Sequence, residues 1–252
     1  MDTSKLFSLE GRIALITGGS RNIGKTIAEA YIAQGATVYI SSRKVADCEA
    51  TAQELGPNCH ALAQDVSTVE GARALALAFA KKEAKLDILV NNAGAVWAAA
   101  FEDFLENGWD KVMDLNLKSP FFWPQPLQDS LKPAVASASL ANVINITSID
   151  GQRLDPWESY SYHASKSGLI FLTKRMAARL VKDSVIVTSI APGAFASDMN
   201  TVARDHSETI AKGIPAGRIG SPEDLAGAAI FLASRAGDYV VGDTISLDGG
   251  LV

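Results

Sequence analysis

Seven short apolar runs, at about 13–17, 36–41, 59–63, 86–90, 142–147, 184–190 and 243–247, recur along the chain with helix-length segments between most of them. A strand buried on both faces reads as a continuous apolar run, and strands separated by helices pair in parallel. The pattern predicts an α/β fold, a doubly wound seven-stranded parallel sheet of Rossmann type with helices on both faces. With 252 residues, 48% of them hydrophobic, the chain can bury the core that one such domain needs. No Pro/Gly/Ser-rich linker or internal repeat divides it, so residues 1–252 are expected to form a single domain. Ligands of such sheets collect beyond the carboxyl ends of the strands, which directs attention to the loops after 17, 41, 65, 90, 148 and 190.

Composition narrows the function. A net charge of -5, with both signs interspersed, argues against a nucleic-acid or membrane-surface binder, either of which would show a basic stripe. The first eleven residues carry no apolar signal core, and no apolar run approaches the roughly 20 residues of a membrane helix, so a cytoplasmic protein is expected. Cys48 and Cys59 lack metal-like spacing and read as structural, and His60, His163 and His206 share no ligand spacing, so no metal is expected. His163 follows Tyr162 and points about 100° away around a helix. The glycosylation sequon Asn145-Ile146-Thr147 lies inside an apolar run and reads as coincidence.

The loop Thr17-Gly18-Gly19-Ser20-Arg21-Asn22-Ile23-Gly24-Lys25-Thr26 joins the first strand to a helix, a position suited to an anionic phosphate. It fits two patterns. Gly19, Gly24, Lys25 and Thr26 match the phosphate loop of nucleotide hydrolases, whereas Thr17, Gly18 and Gly24 match the first turn of a dinucleotide-binding unit. A hydrolase needs a strand-end carboxylate for Mg²⁺, but the run 86–90 ends in Asn91-Asn92-Ala93-Gly94. In the dinucleotide pattern, side chains at Gly18 or Gly24 would block approach to the pyrophosphate. Asn22 stands where a third glycine is usual and tolerates the positive φ of the turn. The second strand ends in Ser41-Ser42-Arg43 with no acid for a ribose hydroxyl. Arg21 and Arg43 suit a 2′-phosphate, so NADP(H) is expected over NAD(H).

Tyr162 and Lys166, four apart in a segment with helical apolar spacing over 160–181, share one helix face, and Ser148 ends the run 142–147. An ammonium about 4 Å from the tyrosine, at an effective dielectric near 20, contributes about 4 kcal/mol or about three pKa units towards the phenolate. A serine hydroxyl beside it could polarise a carbonyl. Between about 107 and 131, Pro120, Pro124 and Pro126 require a helix to kink or break. Residues 133–141, rich in Ala and Ser, read as a surface loop.

The conjunction of Thr17–Gly24, Asn91–Gly94, Asn116, Ser148, Tyr162, Lys166, Pro192-Gly193 and the ending Asp248-Gly249-Gly250, in that order on one α/β chain, resembles the short-chain dehydrogenase/reductase family from about residue 9 to the end. The resemblance implies Tyr162 as catalytic acid/base, Ser148 as carbonyl-orienting donor, Lys166 as the grip on the nicotinamide ribose and Asn116 as anchor of a water relay. It implies a cofactor site of Gly18, Ser20, Arg21, Asn22, Ile23 and Gly24, with Ser42, Arg43, Asp65 and Val66 on the adenosine side. Asn92, Ala93 and Gly94 follow, and then Pro192, Gly193, Phe195 and Ser197 near the nicotinamide. Ser197 stands where many relatives have Thr and keeps the hydroxyl. A loop and helix at about 195–215 should cover the substrate, with Asp150, Leu154, Trp97, Trp157, Phe195, Asp198, Met199 and Ile214 as pocket candidates. Hydride exchange between a nicotinamide and a ketone or secondary alcohol is implied, as is a homotetramer or homodimer. The prolines at 120, 124 and 126 fall near the expected subunit contact.

Within the family, the 133–141 insertion and Ser197 most resemble 3-ketoacyl reductases of the rhamnolipid-pathway type. Reductases of bulky ketones and polyol or sugar dehydrogenases remain open. A cofactor sensor without turnover is the reading from another class, and it would not need the Ser148–Tyr162 pair.

Overall fold

The computed structural model describes residues 3, 5–131 and 140–252. In chain order the main elements begin with β1 (Ile13–Thr17), α1 (Asn22–Ala33), β2 (Thr37–Ser41), α2 (Val45–Leu55) and β3 (Cys59–Ala61). There follow α3 (Val69–Ala80), β4 (Ile88–Asn91), α4 (Glu106–Met113), α5 (Ser119–Phe122), α6 (Gln128–Leu131) and β5 (Ala141–Ile146). The chain closes through α7 (Tyr160–Leu180), β6 (Val185–Pro192), α8 (Thr201–Asp205), α9 (Ser207–Ala211), α10 (Pro222–Ala233) and β7 (Thr244–Leu247). The strands form one parallel sheet in the order β3-β2-β1-β4-β5-β6-β7, as the apolar runs predict. Sequence order reverses between β1 and β4, so the loops after these strands diverge around a crevice suited to a ligand.

Alternate strand residues feed two cores. Ala14 and Ile16 of β1 pack with Ile27 and Tyr31 of α1 and Leu225 and Ala229 of α10, while Leu15 packs with Leu75 and Phe79 of α3 and Met176 of α7. The helices that close these layers are locally specified. Thr68 caps α3 by accepting from Gly71 N, and Ser221 and Asp224 form a reciprocal capping box before Pro222 at the start of α10.

The proline-bearing segment breaks as expected. A wide π turn over Asp114–Lys118 separates α4 from α5, and a 3₁₀ turn at Gln125–Leu127 precedes α6. Pro120 has no N–H to offer the carbonyl of Asn116, four residues earlier, so the regular ladder cannot run through this point. Of the expected loop at 133–141, residues 133–139 lie outside the described residues, and Ala141 already opens β5. Asn145 of the sequon is fully buried in β5, where it bonds Asn91 and Thr173. No described helix is long and apolar enough to cross a membrane.

Candidate active site

The turn after β1 is held by the strand beside it. Asn92 Nδ2 donates to the carbonyls of Thr17 and Gly18 at 2.9 and 3.0 Å, and Thr17 Oγ1 accepts from the backbone N–H groups of Asn92 and Ala93. Gly18 has φ +65°, and a Cβ on Gly24 would overlap the Gly18 carbonyl and lie 2.5 Å from Asn92 Nδ2. The glycines are therefore required for the loop to pack on itself, a tighter constraint than the ligand approach inferred from sequence. Asn22 adopts φ 49°, the left-handed conformation that its position demands. The Ser20 carbonyl accepts from Thr51 Oγ1, and Ile23 packs against the core.

Lys25 does not enter the loop. It pairs with Glu54 of α2, which removes the cation that a nucleotide hydrolase would need. The N-terminus of α1 is instead open: Arg21, at its cap, makes no side-chain capping bond, and the first turn holds no acid. Uncompensated N–H groups at a helix start suit a pyrophosphate, so the residues present fit a dinucleotide.

Around this turn, Ser42 Oγ donates to the Lys44 carbonyl and Arg43 is exposed just beyond β2. Asp65 accepts the Ser67 N–H beside the buried Val66. Arg21 Nη1 lies 3.3 Å from Asp198, which also accepts from Asn22 Nδ2 and pairs with Arg204. Asp198, expected on the rim of a substrate pocket, is thus engaged with the turn after β1.

The second half of the site is carried by β5 and α7. Lys166 is buried, and its Nζ donates to the carbonyl of Ile146 at 2.8 Å. It stands 5.6 Å from the centre of the Tyr162 ring. Asn116, on the π turn, spans between elements: its Oδ1 accepts from Ala95 N at 2.8 Å, and its Nδ2 donates to Ala95 O and to Ser165 Oγ. A Cβ on Gly94 would lie 3.4 Å from Asn116 Oδ1 and 3.9 Å from Lys166 Nζ, so the turn after β4 closes one side of this centre. Gly193 abuts Asp248, and Ser197 Oγ accepts from Asn200 N in the turn before α8.

Electrostatics here depart from the sequence argument. Burial pushes the Tyr162 phenol up to about 12, a shift opposed by hydrogen bonding with Ser148 and reinforced by the Asp150 and Asp155 carboxylates. Burial also brings the Lys166 ammonium down to about 8, with Asp150 opposing. The expected three-unit pull of Lys166 on Tyr162 is absent because the ammonium is turned to a backbone carbonyl and desolvation acts on both groups.

The pocket candidates separate. Ile214 would meet a Cβ on Gly249 at 2.7 Å, the Phe195 ring covers Gly220, and the half-buried Trp97 lies against Gly108 with Lys111 Nζ 5.4 Å from its ring centre. Leu154, Trp157 and Met199 are exposed, the first of them 88%. Asp150 sits against Ser148, whose Oγ donates to Asp150 Oδ2 at 3.2 Å.

Asn91, read from sequence with the motif after β4, donates from Nδ2 to Asn145 Oδ1. Two polar partners escaped the sequence reading: Thr173, whose Oγ1 accepts from Asn145 Nδ2, and Ser165, whose Oγ accepts from Asn116 Nδ2. The available signal was the run of Ser161, Ser165, Lys166 and Thr173 on α7, all buried, in a helix otherwise expected to be apolar inside. His163 bonds Ser159 and lies 3.8 Å from Asp155. Among the described residues no three His, Cys, Asp or Glu side chains gather as metal ligands.

Residues 18–252 match the family model described as enoyl-(acyl carrier protein) reductase. The chain is 44% identical to the rhamnolipids biosynthesis 3-oxoacyl-[acyl-carrier-protein] reductase of Pseudomonas aeruginosa, over 97% of each chain. It is 36% identical to the 2-dehydro-3-deoxy-D-gluconate 5-dehydrogenase of Dickeya dadantii, over 97% of this chain and 96% of that one. The solved Pseudomonas aeruginosa RhlG/NADP active-site complex superposes with a TM-score of 0.94 at 42% identity, covering 98% of this chain and 99% of that one. With the parallel sheet, the glycine turn on Asn92 and the Ser148, Tyr162 and Lys166 centre, these similarities establish that the chain belongs to the short-chain dehydrogenase/reductase family.

Proposed function

We propose that the protein is an NADP(H)-dependent carbonyl reductase acting on a 3-ketoacyl or similarly apolar ketone. The observation that carries this is the half-buried Tyr162 and the buried Lys166 on one face of α7 beside Ser148 at the end of β5, next to a glycine turn whose helix start is open to an anion. When bound, the nicotinamide supplies or accepts the hydride. The chain's own groups bind, orient and move a proton.

Tyr162 gives its proton to the carbonyl oxygen, and Ser148 orients that oxygen. Lys166 keeps two N–H donors beyond its bond to Ile146, suited to ribose hydroxyls. Asn116 anchors a water relay, its carbonyl lacking a donor at Pro120. The turn Gly18–Gly24 and the start of α1 hold the pyrophosphate. Arg21 and Arg43 take the 2′-phosphate, with Ser42, Asp65 and Val66 beside the adenosine, and Asn92–Gly94 and Pro192–Ser197 flank the rest. The segment at about 195–215 covers the substrate.

The relatives named above act, by their names, on a 3-oxoacyl carrier-protein substrate or on a sugar acid. The exposed Leu154, Trp157 and Met199 favour an apolar acyl chain over a polyol. An apolar groove formed by Met113, Leu117, Phe121, Phe171 and Leu172 supports self-association of α4, α5 and α7 with a second copy. Two buried free thiols support a reducing, cytoplasmic setting.

The test is NADPH oxidation with a 3-ketoacyl thioester, an aryl ketone and a keto-sugar, for this protein and Tyr162→Phe. Turnover is expected with the thioester or aryl ketone, and a loss of at least about a hundredfold in the variant with cofactor binding retained. Silence across the panel with NADPH still bound would favour the sensor, and preference for NADH or for the keto-sugar would overturn the cofactor or substrate assignment.

A further inference from the structure

Asp150 stands two residues after Ser148, half-buried, in the turn that packs against α7. Its backbone N–H donates to Ser148 Oγ at 3.1 Å, and its carboxylate accepts the Ser148 hydroxyl proton at 3.2 Å. Gly151, next in the chain, has no room for a side chain against the Lys166 backbone, so this turn is fixed against the face of α7 that bears Tyr162 and Lys166. A serine hydroxyl has one proton to donate. Donation from this hydroxyl to Tyr162 lowers the phenol, so Asp150, Tyr162 and a substrate carbonyl compete for one proton.

We propose that Asp150 is a positioning residue of the reaction centre, whose carboxylate claims the Ser148 proton and sets the direction in which the Ser148–Tyr162 pair can pass a proton. The inference rests on the reductase reading above and extends it to direction and pH. A negative charge beside Tyr162 disfavours tyrosinate, so the centre is held in its proton-donating form, the form that reduction of a ketone needs. Oxidation of the alcohol requires the tyrosinate and is pushed to higher pH.

The charges around this group come from each neighbouring element. Arg153 and Asp155 lie on the loop that follows, and His163 and Lys166 on α7. Burial and Asp155 raise the Asp150 carboxyl, while Ser148, His163 and Arg153 act in the opposite sense. None of them takes the Ser148 proton. Removing the Asp150 charge therefore acts on Tyr162 through both charge and hydrogen bond, whereas removing Asp155 acts through charge alone.

The experiment titrates tyrosinate absorbance of the full chain without cofactor, with Tyr162→Phe subtracted to isolate Tyr162 from the other four tyrosines. D150N and the smaller D150S each remove the charge, so one serves if the other does not fold, and D150E retains it. The isolated transition is expected about one pH unit or more lower in D150N or D150S, less displaced in D155N, and near its original position in D150E. In the loaded enzyme, the pH at which alcohol oxidation reaches half its maximum should fall by a similar amount. An unmoved or raised transition in D150N and D150S overturns the proposal, as does an equal displacement in D150E. The absorbance titration needs neither cofactor nor substrate, so its failure is separable from failure of the reductase reading, which shows as no NADPH turnover.

Discussion

Arg21 Nη1 and Asp198 Oδ2 stand 3.3 Å apart, joining the turn after β1 to the segment that leads into α8. Asn22 and Arg204 reach the same carboxylate. The pair is exposed on both sides, and such pairs contribute about 1 kcal/mol or less, so a phosphate arriving at Arg21 can displace Asp198.

Replacing Arg21 with Ala should weaken NADPH binding about tenfold, equivalent to one charge-assisted contact of about 1.4 kcal/mol, and leave NADH binding unchanged. Asp198→Asn, which frees the guanidinium, should leave NADPH binding equal or tighter. Titration of nicotinamide fluorescence reads both. Equal losses for the two cofactors in the Arg21 variant would remove the 2′-phosphate role.

Gly24→Ala places a methyl group against the Gly18 carbonyl and Asn92, so the turn must open. Cofactor binding should fall by more than about tenfold, with a lower Tm. Gly227→Ala in α10 is the matched control, since nothing lies within 4 Å of its Cβ position. That change should be neutral or stabilising by up to about 1 kcal/mol. Unimpaired binding in Gly24→Ala would show that the turn tolerates a side chain.

Arg12 is partly buried at the amino end of the sheet and donates to the carbonyls of Ala233, Asp87 and Leu140 and to Asn142 Oδ1. Burial lowers the pKa of its guanidinium, with Asp87 and Asp238 opposing that shift. Arg12→Ala strands these acceptors and should cost about 3 kcal/mol or more in urea unfolding. A loss below about 1 kcal/mol would mean that water replaces the guanidinium without penalty.

Phe171, 74% exposed on α7, borders the apolar groove shared with α4 and α5. If a second copy covers this groove, Phe171→Glu places a charge in the interface and should yield a smaller species by light scattering with an unchanged circular dichroism spectrum. An unaltered mass would exclude this face as the contact.

How much was legible varies with the range of the interaction. The limits of β1 and β2 follow from apolar runs, and the break between α4 and α6 from proline chemistry, since each depends on a few consecutive residues. Tyr162 and Lys166 share a face by helical spacing alone. Their electrostatic relation was not legible: it depends on the Ile146 carbonyl that takes Lys166 and on the burial of both groups. The reason for glycine at 24 lay in Asn92, 68 positions away, and the role of Asn145 emerged only once Thr173 stood against it.

The sequence by itself determined the seven-stranded parallel sheet, the glycine-bearing turn after β1 and the order of the family's motifs, because periodicity and turn chemistry are local. Only the tertiary structure decided which partner each polar side chain takes. Arg21 pairs with Asp198, Ser148 Oγ donates a hydrogen bond to Asp150, and the Phe195 ring covers Gly220. Hydrogen bonds and desolvation depend on distances of a few ångströms between segments far apart in the chain, and a linear pattern carries no such distances.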